Sequence, residues 1–144
     1  MNKATKILLA SLAIAGLAAP LAGHAESIRT VACSVSIDYL ANDVLRAPYQ
    51  KDFVVTPGVT FQHDFSTFTR FRFFEASTKL EGNRTVVSIS YYNDVGVFEY
   101  VDMRTSLPMR EDVESTSGSH TYWTELGIAG THTTNWTLTC QRVK

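Results

Sequence analysis

The sequence predicts an all-β fold: a single antiparallel β-sandwich or a small closed β-barrel of about eight strands. Three observations support this prediction. Short segments alternate apolar with polar residues and are rich in Val, Ile, Thr, Phe and Tyr. Gly, Pro and Asn separate these segments at the short spacings of β-turns. Helical periodicity is scarce, and the one helix candidate, residues 39–47, lacks a clean apolar stripe and stops before Pro48.

The chain begins with a segment typical of a secretory signal peptide. Two lysines precede an uncharged, apolar run over residues 7–21, and small residues lead up to Ala25. The run is short for a segment that crosses a bilayer. We therefore expect residues 1–25 to be cleaved and residues 26–144 to form one exported domain, periplasmic or secreted, with no transmembrane span.

The first and last predicted strands each carry one cysteine. Cys33 has the parity of Val35, and Cys140 has the parity of Leu138, so both cysteines face the predicted core. In an exported chain, a single cysteine pair without CxxC spacing usually forms a disulfide and not a metal or redox site. We predict a Cys33–Cys140 disulfide that joins the first strand to the last, as neighbours in one sheet or across two sheets.

Short strands and tight turns fill the chain between the two cysteines. Turn residues at 56–58, 81–83 and 93–94 separate hairpin candidates. The predicted strands here span residues 53–55, 59–65, 68–80, 84–92, 95–104 and 120–126. The polar stretch 105–119 contains a proline and a glycine, and we expect it to be the longest loop.

Composition and charge exclude several classes of function. The chain has 13 Lys and Arg against 14 Asp and Glu, and two of the basic residues lie in the predicted leader, so the mature part carries three net negative charges. Nucleic-acid binding normally needs a basic surface, so we expect no nucleic-acid partner. The sequence has no phosphate-loop, zinc-hydrolase, serine-hydrolase or EF-hand motif, and we expect no cofactor and no metal.

Aromatic residues are the most informative feature of the mature part. Three pairs of adjacent aromatic residues lie inside predicted strands, where neighbouring side chains face opposite sides of a sheet. If one sheet face is buried, one member of each pair faces outward. We expect the outward members, with one further tyrosine beside them, to be Phe74, Tyr92, Tyr122 and Tyr100. Such a surface would bind a protein or a glycan, unless a second layer or a loop covers it.

Two arginines lie in the same region. Arg70 and Arg72 alternate along their predicted strand with phenylalanines that face the opposite side. Together with Phe74 they would form a cation–π or anion-binding face. The alternative interpretation is the solvated outer face of an amphipathic strand.

A hydrolytic site is a further hypothesis. His63, Glu75 and Glu99 each share the parity of apolar neighbours, so all three are expected to face inward. Hairpin pairing would place the two glutamates on strands that flank a common neighbour, roughly 10 Å apart at the backbone. Two carboxylates and an imidazole in one cavity would supply a proton donor and a base.

The sequence therefore favours an exported, non-catalytic binding module that recognises a protein or glycan partner in the cell envelope, such as an inhibitor or immunity protein. The first alternative is a small secreted hydrolase that uses Glu75, Glu99 and His63. The second is an accessory or structural component of a surface or secretion assembly.

Overall fold

The computed structural model describes residues 29–144, which form eight β-strands. The strands are β1 (Val31–Ala41), β2 (Val44–Val55), β3 (Phe61–Asp64), β4 (Arg72–Glu81), β5 (Arg84–Gly96), β6 (Glu99–Pro108), β7 (Val113–Thr124) and β8 (Gly130–Arg142). The predicted leader, residues 1–25, lies outside the described residues. Across residues 29–144, no helix has the length and apolar character needed to cross a membrane.

Two antiparallel sheets of four strands form the fold. The first sheet has the strand order β2-β1-β8-β7, and the second has the order β3-β4-β5-β6. The prediction of an eight-stranded sandwich is confirmed, and the closed-barrel alternative is wrong because the strands divide into two separate sheets. In the second sheet all neighbours are consecutive hairpins, whereas the first sheet is completed by the last two strands.

The predicted disulfide is present and joins neighbouring strands. Cys33 of β1 lies directly opposite Cys140 of β8, with a Cα–Cα distance of 4.1 Å. Both residues are buried in the core. The bond links the two central strands of the first sheet, so the option of a bridge between the sheets is excluded.

The core lies between the inner faces of the two sheets, because strand residues alternate inward and outward. In β1 every second residue from Val31 to Ala41 is buried. The largest fully buried side chains include Tyr39, Phe74 and Tyr91. Aromatic rings therefore fill much of the interior, and β4 and β5 contribute two of them opposite the first sheet.

The helix candidate at residues 39–47 is wrong. This segment is the end of β1, a two-residue turn and the start of β2. The turn residues Asn42 and Asp43 both have left-handed backbone angles, with φ of 50° and 64°. Asn and Asp tolerate this conformation better than most residues, and it matches the twist of a tight hairpin.

The predicted long loop at residues 105–119 is also wrong. β6 continues to Pro108 and β7 begins at Val113, so only four residues join the two strands. Ser and Thr are frequent in this stretch because β7 is an edge strand whose residues are largely exposed. A polar edge strand resembles a loop in composition, and this similarity explains the error.

Candidate functional site

A row of aromatic side chains crosses the outer face of the second sheet. It consists of Phe71, Phe73, Tyr92 and Tyr100, which we call the aromatic row. Ring centroids are 6.3 Å apart for Phe71–Phe73, 5.5 Å for Phe71–Tyr92 and 6.2 Å for Tyr92–Tyr100. Phe71 and Tyr100 are 59% and 54% exposed. The described residues thus present a continuous aromatic strip to the outside of the sandwich.

Strand register explains why these residues share a face. Phe73 of β4 lies opposite Tyr92 of β5, so both side chains leave the sheet on the same side. Their chain neighbours Phe74 and Tyr91 face inward and are buried. The row therefore follows from the two adjacent aromatic pairs and from their pairing in register.

A polar groove continues the same face. Glu75, Ser90 and Arg104 are direct partners across β4, β5 and β6, one rung beyond the Phe73–Tyr92 rung. The next rung consists of Ser77, Ser88 and Ser106. These six residues line a shallow groove of about 560 Å³, which we call the hydroxyl groove. Carboxylate, guanidinium and hydroxyl groups thus stand beside exposed aromatic rings.

Two of the four predicted outward aromatic residues lie on this face, and two do not. Tyr92 and Tyr100 belong to the aromatic row. Phe74 is fully buried and packs edge-on against Phe53 at 5.1 Å. Tyr122 faces the interior and stacks on buried His132 at 5.1 Å, so the outward member of its pair is Trp123, which is 63% exposed. In both pairs the two members have opposite parity, and the structure places the other member on the outer face.

Sequence reasoning missed Phe71, Phe73 and the serines of the groove. A signal for them exists, because Glu75, Ser77 and Lys79 continue the face of Phe73 along β4. A face that becomes polar along its strand is the solvent face. The opposite parity runs through Phe74 and Ala76, both of which are buried.

The predicted arginine face is not formed. Arg72 shares the inward parity of Phe74 and is half-buried. Arg70 forms an ion pair with Asp94, with 3.0 Å between Nη1 and Oδ1. Residues 67–70 make a tight turn before β4, so the two arginines do not alternate along one strand as expected.

The three residues of the hydrolase hypothesis are separated. Glu75 lies on the outer face of the second sheet in the hydroxyl groove. His63 lies on β3, and its Nδ1 is 3.0 Å from the hydroxyl of Tyr49. Glu99 is buried at the start of β6, next to Gly96. The expectation that all three face one cavity is therefore wrong.

Glu99 belongs instead to a buried polar cluster at one end of the sandwich. Its Oε2 is 3.8 Å from Nη2 of Arg46, and its Oε1 has no hydrogen-bond partner among the described residues. A Cβ atom at Gly96 would overlap the Glu99 carboxylate, so any other residue there would displace the carboxylate. Loop residue Gly127 also lies against Glu99.

A chain of hydrogen bonds lies beside this carboxylate. The Tyr39 hydroxyl is bonded to Nδ1 of His132, and Nε2 of His132 is 2.7 Å from the carbonyl oxygen of Ile128. Since Nε2 donates to a carbonyl, Nδ1 accepts from Tyr39. Burial, a hydrogen bond with Tyr122 and the nearby charge of Glu99 raise the pKa of Tyr39.

These buried groups fit a structural role. Tyr39 and His132 are 0% exposed and Glu99 is 4% exposed, so a substrate has no direct access to their reactive atoms. The hydrogen bonds join β1 to β8 and to the loop before β8. No group of three or more His, Cys, Asp or Glu side chains suited to a metal ion occurs within residues 29–144.

Comparison of the chain with models of protein families, with curated proteins and with solved structures finds no match.

Proposed function

We propose that the protein is an exported, non-catalytic binding module that recognises a glycan chain in the cell envelope through the aromatic row and the hydroxyl groove. The observation that carries this proposal is the juxtaposition of exposed aromatic rings with a groove of hydroxyl, carboxylate and guanidinium groups on one sheet face.

The aromatic row supplies flat apolar surface. The C–H groups of a sugar ring form an apolar face, and the face of an aromatic ring carries the negative part of its quadrupole, so the two surfaces attract each other. Phe71 and Tyr100 stand at the ends of the row and are more than half exposed. A contiguous exposed aromatic strip of this kind is typical of an interaction surface.

The hydroxyl groove supplies the polar contacts. Sugar hydroxyls both donate and accept hydrogen bonds, and the groove contains an acceptor-only group in Glu75, a donor-only group in Arg104 and serines that do both. The two rungs of the groove follow the aromatic row along the strands, so an extended chain could contact both.

The composition of this face favours a glycan over a protein partner. The centres of protein–protein interfaces are depleted in Ser, Lys and Glu. The outer face next to the aromatic row contains four serines together with Glu75 and Lys79. Hydroxyl-rich ligands need such groups, whereas a protein interface would leave many of them without partners.

The separation of Glu75 from Glu99 supports a binding role. Hydrolysis of a glycosidic bond usually requires two carboxyl groups on either side of the bond. Glu75 faces the groove, but Glu99, its expected partner, is buried between the sheets. The hydrolase hypothesis therefore loses the geometry on which it was based.

Isothermal titration against soluble linear hexasaccharides, including chitohexaose, cellohexaose and mannohexaose, tests the proposal. Tyr92→Ala should weaken binding of the preferred glycan about tenfold, because one aromatic stacking contact is worth about 1 kcal/mol or slightly more. Trp123→Ala is the matched control, since Trp123 is an exposed aromatic residue on the other sheet. Equal losses in the two variants, or no binding of any glycan, would contradict the proposal.

Export is tested separately. The protein recovered from the periplasm or the medium should begin at Glu26, and mass spectrometry of the intact chain measures this directly. A mass that includes residues 1–25 would contradict cleavage after Ala25.

A further inference from the structure

A second concave site opens at the side of the sandwich, away from the aromatic row. It lies where the start of β2 faces β3, the start of β4 and the end of β5, and it has a volume of about 610 Å³. Its polar lining consists of Arg46, Tyr49, Gln50, His63, Arg72 and Asn93. Among residues 29–144, no aspartate or glutamate lines this cleft, although two arginines do.

Arg72 is the most informative residue of the cleft. Its side chain points inward with the parity of Phe74, and its Nε is buried without a hydrogen-bond partner among the described residues. Its guanidinium forms no ion pair within residues 29–144, whereas nearby Arg70 is paired with Asp94. A half-buried cation without an anion is costly, so the site favours an incoming negative charge.

The charge of Arg72 also affects Tyr91, which is buried beside the residues that line the cleft. Burial raises the pKa of Tyr91 to about 12, while the hydrogen bond from Asn93 and the positive charge of Arg72 act in the opposite direction. The positive charge of Arg72 therefore acts on buried groups next to the cleft, without an anion to balance it there.

Two further groups support anion binding. Arg46 is 3.8 Å from the buried Glu99 carboxylate, which is a loose contact that leaves guanidinium N–H groups free for a ligand. His63 is hydrogen-bonded through Nδ1 to Tyr49. When the Tyr49 hydroxyl donates in this bond, the His63 Nε2 carries the proton and is a second donor at the cleft.

We propose that this cleft binds a small oxyanion, namely the phosphate or carboxylate group of a small molecule, with Arg72 as its main ligand. Guanidinium groups bind such anions with two parallel hydrogen bonds. The site is independent of glycan recognition, because it lies between the sheets and not on their outer face.

Nuclear magnetic resonance of the purified, oxidised protein tests this site. Inorganic phosphate and acetate are titrated separately, with sodium chloride holding the ionic strength constant, while the Nε–Hε signals of the arginines are followed. We expect saturable shifts of the Arg72 signal, and at least a tenfold loss of affinity in Arg72→Gln. Arg104→Gln is the matched control, because Arg104 lies on the outer face and its side chain is 79% exposed.

The two anions distinguish the two chemical classes. Tighter binding of phosphate supports a phosphate-bearing ligand, and equal or tighter binding of acetate supports a carboxylate. Absence of saturable shifts at Arg72 with both anions would overturn the proposal, as would an equal loss in Arg104→Gln. If Arg72→Gln does not fold, the titration of the wild-type protein tests the proposal by itself. The Arg72 and Arg104 signals are then compared within one sample, and only the Arg72 signal should shift saturably.

Discussion

Three tyrosines place their hydroxyl groups in the interior, and each hydroxyl has a polar partner. Tyr39 bonds to His132, Tyr49 bonds to His63, and the Tyr91 hydroxyl accepts from Asn93 at 2.8 Å. A buried hydroxyl without a partner costs about 1–3 kcal/mol, so these hydrogen bonds stabilise the packed interior. Tyr39–His132 joins β1 to β8, Tyr49–His63 joins β2 to β3 of the other sheet, and Tyr91 and Asn93 lie two residues apart on β5.

The buried tyrosines predict a loss of stability at alkaline pH. Burial raises the pKa of all three above the ordinary value of 10.0, and to about 12 for Tyr91. The unfolded chain therefore loses these protons first. The contribution of these tyrosines to the free energy of unfolding should be constant below pH 10. It should fall as the pH rises through their pKa values in the folded protein.

Urea unfolding between pH 8 and pH 12 measures this dependence of stability on pH. Phenolate absorbance of the folded protein over the same range measures the ionisation of the tyrosines. Tyr91→Phe should reduce the alkaline loss of stability, and Tyr100→Phe should not, because Tyr100 is exposed. Ionisation of all six tyrosines near pH 10 in a folded protein would contradict the assignment.

The direction in which each aromatic side chain points is only partly predictable from the sequence. The sequence predicts that one member of each adjacent aromatic pair faces outward, and Tyr92 does so. For the pair on β4, the polar residues that follow Phe73 on its face indicate that Phe73 faces outward in place of Phe74. For the pair on β7, the sequence cannot decide that Trp123 faces outward in place of Tyr122, because a one-residue change in register exchanges the two faces. The bulge between Asp94 and Gly96 is such a change.

At the scale of the element, the β1–β2 hairpin combines strain with specific bonding. Asn42 and Asp43 both adopt the left-handed conformation, which costs energy in residues other than glycine. Two hydrogen bonds of the Asn42 side chain offset part of this cost. The side chain accepts a bond from the amide of Thr131 at 2.9 Å and donates to the carbonyl oxygen of Ala129 at 3.0 Å.

Two glycine substitutions in this turn should therefore have opposite effects. Asp43→Gly relieves the backbone and should raise the free energy of unfolding by about 1 kcal/mol. Asn42→Gly relieves the same kind of strain but removes two hydrogen bonds, and it should lower stability by about 1 kcal/mol. Urea unfolding of both variants measures the difference, and the same sign of change in both would contradict this explanation.

The edge strand β7 shows a second feature that could not be predicted from the sequence. Its polar composition predicts a loop, but β7 pairs with β8 over twelve consecutive residues. Gly118 is required in this pairing, because a Cβ atom there would overlap the ring of Trp136 on β8. A glycine that accommodates a cross-strand tryptophan cannot be distinguished from a loop glycine without the register.

At the scale of the whole molecule, the sequence predicts the fold class, the number of strands and the disulfide correctly. These features depend on periodicity and on the parity of the two cysteines, which are local properties. The order of strands in the sheets depends on long-range pairing, which periodicity does not determine. The separation of His63, Glu75 and Glu99 follows from this pairing and could not be predicted.

The disulfide should contribute strongly to global stability. It joins residues that are 107 positions apart, and in the chain-entropy model such a closure is worth about 4–5 kcal/mol. The double variant Cys33→Ala, Cys140→Ala should lose a large part of this stability while keeping the same circular dichroism spectrum. An unchanged urea midpoint would contradict the expectation. Reductant should act slowly on the folded protein, because both cysteines are buried.

The most direct test of the central claim is to map where a glycan contacts the protein. Backbone amide signals are followed while the hexasaccharide that binds best is added. The largest shifts should lie on the outer face of the second sheet, around Tyr92, Tyr100, Ser88 and Ser90. Shifts centred on the outer face of the first sheet around Trp123, or in the cleft at Arg72, would contradict it.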